Sequence, residues 1–217
     1  MPNWCSNREI IVGPKDEIHS LLNKLDEWTS KNYMENDFGT GWLGNIVLGA
    51  GFNIYDDDPK NGFSCRGSLN DNFEIEDFPN ESRITFGSLT AWAPMPEMWY
   101  AIVKKHAPNC KYYYASEEPG NEVYETNDAE GKFFPETIFV DVFYNDEENA
   151  PEVIKKHFPE SSYEYSMTNV ITGLKEILNS DKDNFDTLIQ EYYKKEKSIA
   201  NETVWLRINK IKIVPEK

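Results

Sequence analysis

SLTAWAPMPEMWYAIVKKHAPNCKYYYASEEPGNEVYETND, residues 88–128, decides the fold. It reads as the end of a strand, a tight proline turn, one amphipathic helix, and a second strand that runs into an acidic turn. Pro94 and Pro96 bracket Met95. Pro96 presets the φ angle of a first helical turn, where its missing N–H costs nothing, and Glu97 suits the positive end of the helix dipole. Met95, Met98, Trp99, Ile102 and Val103 then recur at the spacing of one helix face, until Pro108 stops the helix near His106. Tyr112, Tyr113 and Tyr114 favour a strand that is bulky on both faces. Glu118, Pro119, Gly120 and Asn121 read as a turn, with Gly120 taking positive φ. The helix is expected to lie across a sheet in which Arg83–Leu89 and Lys111–Ser116 are neighbouring strands.

Working outward, Asn7–Val12 reads as a first strand, ended by Gly13 and Pro14. Ile18, Leu21, Leu22, Leu25 and Trp28 mark the buried face of the helix that follows. Glycines at 39, 41, 44, 49, 51 and 62 break periodicity, and Trp42–Leu48 fits either a short helix or a strand. GTGWLG lacks the lysine of a phosphate-binding loop, and Asp56–Gly62 places its glycine one position late for a calcium loop. Cys65–Glu76 alternates weakly, Arg83–Leu89 alternates well, and Ile138–Tyr144 (IFVDVFY) is apolar on both sides like an interior strand. The order of elements predicts an α+β, ferredoxin-like antiparallel sheet with helices packed on one face, over residues 1–149. Residues 150–217 read as a helical appendage. Its faces are Val170–Leu178 and Phe185–Ile199, and it closes on a strand over Thr203–Val214. That strand changes phase near Asn209 and Lys210, as a bulge would, and is expected to rejoin the main sheet.

Aromatic residues make up 14% of the 217 residues, enough for a real core, and the net charge is −16. Residues 111–152 hold 2 basic and 12 acidic groups, while residues 153–217 are near balance with 11 and 10. Such a surface repels phosphates, so neither nucleic acid nor an anionic membrane is expected as a direct partner; a basic protein is admitted. Cys5, Cys65 and Cys110 are odd in number and widely spaced, which fits reduced thiols in a cytoplasmic protein. The N-terminus shows no apolar signal region, and no apolar run approaches the ~20 residues of a membrane span.

No nucleophile elbow, kinase set, zinc motif or dinucleotide fingerprint is present, so no catalytic residue, metal or cofactor is assigned. The candidate binding site is the sheet end near Trp92, with Glu117, Glu118, Asn121, Glu122, Tyr124, Asn127 and Asp128. Glu117 and Glu118 are adjacent and point to opposite strand faces, which makes them a poor acid–base pair. The plainer reading of this acidic stretch is a turn held by its own Asn and Asp side chains. His19, His106 and His157 read as surface groups.

Three of these segments carry a family resemblance. MPNWCSNREIIVGP at the start, TAWAPM in the middle and EEPGNEVYETND after it resemble the YubB-type, ferredoxin-like family of plasmids, phages and related mobile elements. The similarity spans residues 1–145. It departs at Met95, where the family more usually has a second proline. The resemblance implies a ferredoxin-like fold and a mobile-element origin, and it brings no activity and no catalytic residues. The expected function is a non-enzymatic, cytosolic protein-binding module. The alternatives are an acidic mimic of nucleic acid that blocks a DNA-binding enzyme, or a small-ligand site or enzyme centred on Trp92 and Tyr124.

Overall fold

The computed structural model describes residues 3–54, 62–200 and 203–215. The acidic loop over residues 56–61 and Asn201 with Glu202 lie outside them. The chain divides into two compact units, residues 1–129 with 214–217, and residues 130–213.

The first unit runs β1 (Trp4–Gly13), α1 (Lys15–Ser30), α2 (Leu43–Gly49), β2 (Asn53–Ile54), β3 (Gly62–Phe63), β4 (Gly67–Leu69), β5 (Glu74–Asp77), β6 (Ser82–Ala91), α3 (Pro96–His106), β7 (Lys111–Glu118) and β8 (Val123–Thr126). Helix α3 spans the residues that the proline spacing and apolar periodicity predict. Its neighbours differ from expectation. β6 and β7 are not adjacent; β1 lies between them, antiparallel to both, with Asn7 opposite Ser88 on one side and Ser116 on the other. The pairing joins residues some 80 to 110 positions apart, so nothing local announces it. β8 continues the sheet beyond β7, and β4 and β5 lie end to end along the outer side of β6.

All three helices of this unit cover one face of the sheet. Ile18, Leu21, Leu25 and Trp28 from α1, Leu43, Ile46 and Val47 from α2, and Met98, Trp99, Ile102 and Val103 from α3 enclose Ile11, Ile84, Phe86, Tyr112 and Tyr114. Trp42–Leu48 therefore resolves as helix. Its carbonyl end is closed by α3: Lys105 Nζ donates to the Ala50 and Gly51 oxygens at 2.9 and 2.8 Å, and His106 Nε2 to that of Ala50 at 2.9 Å. Cations at a helix C-terminus satisfy carbonyls that have no partner within the helix.

The second unit contains β9 (Ile138–Tyr144), α4 (Glu152–His157), β10 (Ser162–Tyr165), α5 (Met167–Leu178), α6 (Phe185–Ala200), β11 (Val204–Lys210) and β12 (Lys212–Ile213). β9 is the middle strand of a sheet ordered β10-β9-β11. IFVDVFY is thus an interior strand as expected, but of the second unit, and the division falls after Ala129 instead of near residue 149. A strand that is apolar on both sides carries no sign of which sheet will bury it. Val204–Lys210 likewise pairs with β9 and not with the first sheet. Beyond the phase change the chain does return to the first unit, where the Val214 N–H donates to the Thr126 oxygen of β8 at 2.8 Å.

Glu9 sits in the middle of β1 on the helix-covered face, 2% exposed. Tyr112 donates to its Oε1 at 3.1 Å, while its Oε2 and the indole Nε1 of Trp99 are buried without a hydrogen-bond partner among the described residues. Burial pushes the Glu9 carboxyl up to about 8, with hydrogen bonds opposing the shift. Below the ordinary carboxyl value both folded and unfolded chains hold the proton. From there to about 8 only the folded chain does, so stability falls by about 1.4 kcal/mol per pH unit, and the loss is complete above that range. Glu9→Gln is expected to flatten this slope and to be more favourable, relative to the parent, at pH 8 than at pH 5. Chemical denaturation at the two pH values checks it; an equal difference at both would contradict the assignment.

Candidate functional site

One end of the first sheet is built from three segments distant in sequence: the start of β1, the end of β6 with the turn after it, and the end of β7. Asn7 joins them. Its Nδ2 lies 3.1 Å from the Ser88 oxygen, 3.2 Å from Ser88 Oγ and 3.0 Å from Thr90 Oγ1, and its Oδ1 accepts from Ser116 Oγ at 2.7 Å. Asn7, Ser88, Thr90 and Ser116 are all buried. A buried amide satisfied on both ends fixes its neighbours, because any slip in register strands polar groups away from water.

Above this network the chain leaves β6 at Trp92, which has φ 67°. A left-handed backbone costs a bulky residue roughly 1–2 kcal/mol. Two bonds hold it there: the Trp92 N–H donates to the Asn3 oxygen at 2.8 Å, and the Trp92 oxygen accepts from Asn121 Nδ2 at 3.3 Å. The ring is then presented outward, 47% exposed, with Arg66 lying over it at 5.6 Å. Trp4, opposite Ala91 in the pairing, is 54% exposed.

Glu118 accepts from the Gly120 and Asn121 N–H groups at 2.8 and 2.6 Å and so caps the single 3-10 turn Pro119–Asn121. Positive φ falls on Glu122 (56°), not on Gly120. Gly120 answers a different demand: a Cβ there would collide with the Asn3 side-chain amide and with Glu118.

The expected site residues therefore separate. Trp92, Glu118 and Asn121 come together, with Glu122 exposed beside them. Glu117 and Tyr124 lie in one cross-strand row with Ser6, opposite in facing to Glu118, and Tyr124 is buried. Asn127 belongs to α3 and β7: its Oδ1 accepts from the Tyr114 N–H, and its Nδ2 donates to the Tyr112 oxygen and Tyr100 Oη, each at 2.8 Å. Asp128 is buried, its N–H donating to Thr126 Oγ1 at 3.1 Å. Composition did not point to Asn3, Trp4, Asn7 and Arg66. The signal was the opening Asn-Trp-Cys-x-Asn segment itself, which proves to meet the other two quoted segments in space.

Chemistry at this end is limited. Burial pushes the thiols of Cys5 and Cys65 up to about 12, so neither is a ready nucleophile. Elsewhere, Ser82, Asp77 and His19 meet, but the hydroxyl and the imidazole both bond the same Asp77 oxygen, at 2.6 and 2.9 Å. The histidine is thereby turned to the carboxylate and not to the serine. No group of three or more His, Cys, Asp or Glu among the described residues is placed to hold a metal ion, and no described helix is long and apolar enough to cross a membrane. Comparison with protein-family models and with curated proteins gave no match.

The backbone cost at Trp92 is separable from its side chain. Trp92→Gly is expected to be more stable than Trp92→Ala by about 1 kcal/mol, since only glycine adopts this φ freely. Asn7→Ala, which leaves buried hydroxyls unpaired, should cost about 2 kcal/mol or more. Thermal or urea unfolding of the three variants reads both.

Proposed function

We propose that this chain is a cytosolic, non-enzymatic protein-binding module that presents Trp4 and Trp92 to a basic protein partner. The carrying observation is the convergence of residues 3–7, 88–95 and 116–121 on one sheet end, where a buried network and a left-handed backbone hold two tryptophans in solvent. Tryptophan and arginine are the residue types that most often anchor protein interfaces, and Arg66 lies over Trp92. The net charge of −16 favours a cationic partner for the chain as a whole and disfavours nucleic acid.

We read the first unit as ferredoxin-like. The support is its β-α-β-β-α-β order, once β4 and β5 are taken together as the second strand. The first and third strands are then inner neighbours, with the fourth beside the first and the second beside the third. The mobile-element origin belongs to the same proposal and rests on the resemblance of the three converging segments.

The acidic-mimic alternative is less well supported. Of the carboxylates between residues 111 and 152, Glu118, Asp128 and Asp141 are buried, and the series divides between the two units. For the same reason charge reversal at Glu118 or Asp128 would damage the fold and is no test of binding.

The test is affinity capture with the parent and with Trp4→Ala/Trp92→Gly, read by mass spectrometry. A control reverses the exposed Glu147 and Glu148. The tryptophan pair is expected to lose at least one partner by about tenfold or more, as for a central interface residue, with circular dichroism unchanged, while the control retains it. Identical capture by all three proteins would refute the reading.

A further inference from the structure

Glu9 on β1 and Trp99 on α3 each leave one buried polar atom without a hydrogen bond among the described residues: the carboxyl Oε2 and the indole Nε1. Both side chains are closed off from solvent, and the indole faces the carboxyl as one of the groups that favour its ionised form. An acceptor and a donor so placed would ordinarily bond. The carboxyl proton explains why they do not. Tyr112 donates to Oε1 at 3.1 Å, which leaves the proton of the neutral acid on Oε2. Two hydrogens, one on Oε2 and one on Nε1, then face each other, and neither has an acceptor. Burial holds Glu9 in this neutral form.

We propose that Glu9 and Trp99 form a proton-operated latch between β1 and α3. It is open while the carboxyl is neutral, and it closes through an indole N–H to carboxylate bond once the proton leaves to solvent. Closing gives both orphaned atoms a partner, and a hydrogen bond to a charged acceptor is the stronger kind. Glu9 is the group that titrates here. Tyr112 and Tyr114 of β7 line the same core, and burial pushes both phenols upward, so they keep their protons. Tyr100 of α3 lies against Tyr112, ring centroids 5.3 Å apart, with its hydroxyl accepting from Asn127. No described cation is among the groups that act on Glu9. β6 contributes the Ser88 hydroxyl, which also favours the ionised form and lies 3.2 Å from Asn7 Nδ2. Through Ser88 the latch reaches the Asn7 network that holds the sheet end.

The experiment titrates the isotope-labelled full chain by NMR between about pH 6 and pH 10. The Trp99 Nε1–H signal is expected to move downfield with the midpoint of the Glu9 carboxyl carbon, about 8, and the Asn7 Nδ2 signals to move with it. In Glu9→Gln, which cannot ionise, neither should titrate. Trp99→Phe keeps an aromatic ring and removes the donor; it should raise the Glu9 midpoint by about one pH unit or more. An indole signal that stays flat while the carboxyl carbon titrates, or that titrates equally in Glu9→Gln, would overturn the latch. So would an unchanged or lowered midpoint in Trp99→Phe. Asn7 signals that stay flat while the indole moves would overturn its reach to the sheet end.

Discussion

The side-chain amide of Asn7 is the interaction on which the first unit depends. It lies on the central strand, bonds β6 through Ser88 and Thr90, and bonds β7 through Ser116. Among the described residues β1 is the strand that pairs with both, so the order of the sheet and the meeting of three distant segments are one fact seen twice. Apolar packing alone would tolerate sliding. A buried amide with defined donors and acceptors does not, because each displaced bond leaves a desolvated group behind. The polar network is accordingly found at the end of the sheet where geometry must be held, and the hydrophobic core cluster lies toward the other end, around Ile11 and Ile84.

Trp92 shows what that fixity supports. An exposed aromatic in a left-handed conformation would relax if its surroundings allowed it. It persists because its N–H and its carbonyl are both engaged, by Asn3 and Asn121, and because Asn121 is itself held by the turn that Glu118 caps. Backbone strain of this kind is maintained where the surroundings over-determine it, and such places tend to be functional. The carboxylate of Glu118 thus caps the turn instead of facing solvent; it positions the residue that positions the ring.

What was legible in the sequence was whatever is decided locally. Pro96, Glu97 and a regular apolar spacing define α3 within the same few residues, and the three tyrosines after Cys110 define β7 as directly. The insertion of β1 between β6 and β7 was not legible, since Asn7 and Ser116 interact across 109 positions and an asparagine in a strand gives no hint of its partner. Glu118 and Asp128 looked like surface charge because carboxylates usually are; only the turn geometry shows them buried. Trp92 reads in sequence as part of the candidate site, but the exposure of its ring follows from a φ value that no composition rule assigns to tryptophan. The short strand Ser162–Tyr165 was missed because its residues, half exposed on a sheet edge, carry no clean alternation.

The two buried polar residues of β1 are handled in opposite ways, and the contrast marks where the backbone of the unit is held. Asn7 has partners on both sides and stiffens the end that carries the exposed tryptophans. Glu9, two residues on and facing the same way, has one oxygen bonded to Tyr112 and the other enclosed beside the Phe86–Trp99 packing, where the rings are 4.6 Å apart. A carboxyl so placed stays neutral because ionisation would put a charge in a space with no cation to meet it. The strand therefore fixes position at Asn7 and tolerates an imperfectly satisfied group at Glu9. A uniformly apolar strand would have packed as well at Glu9, but it could not have held Trp92 where it is.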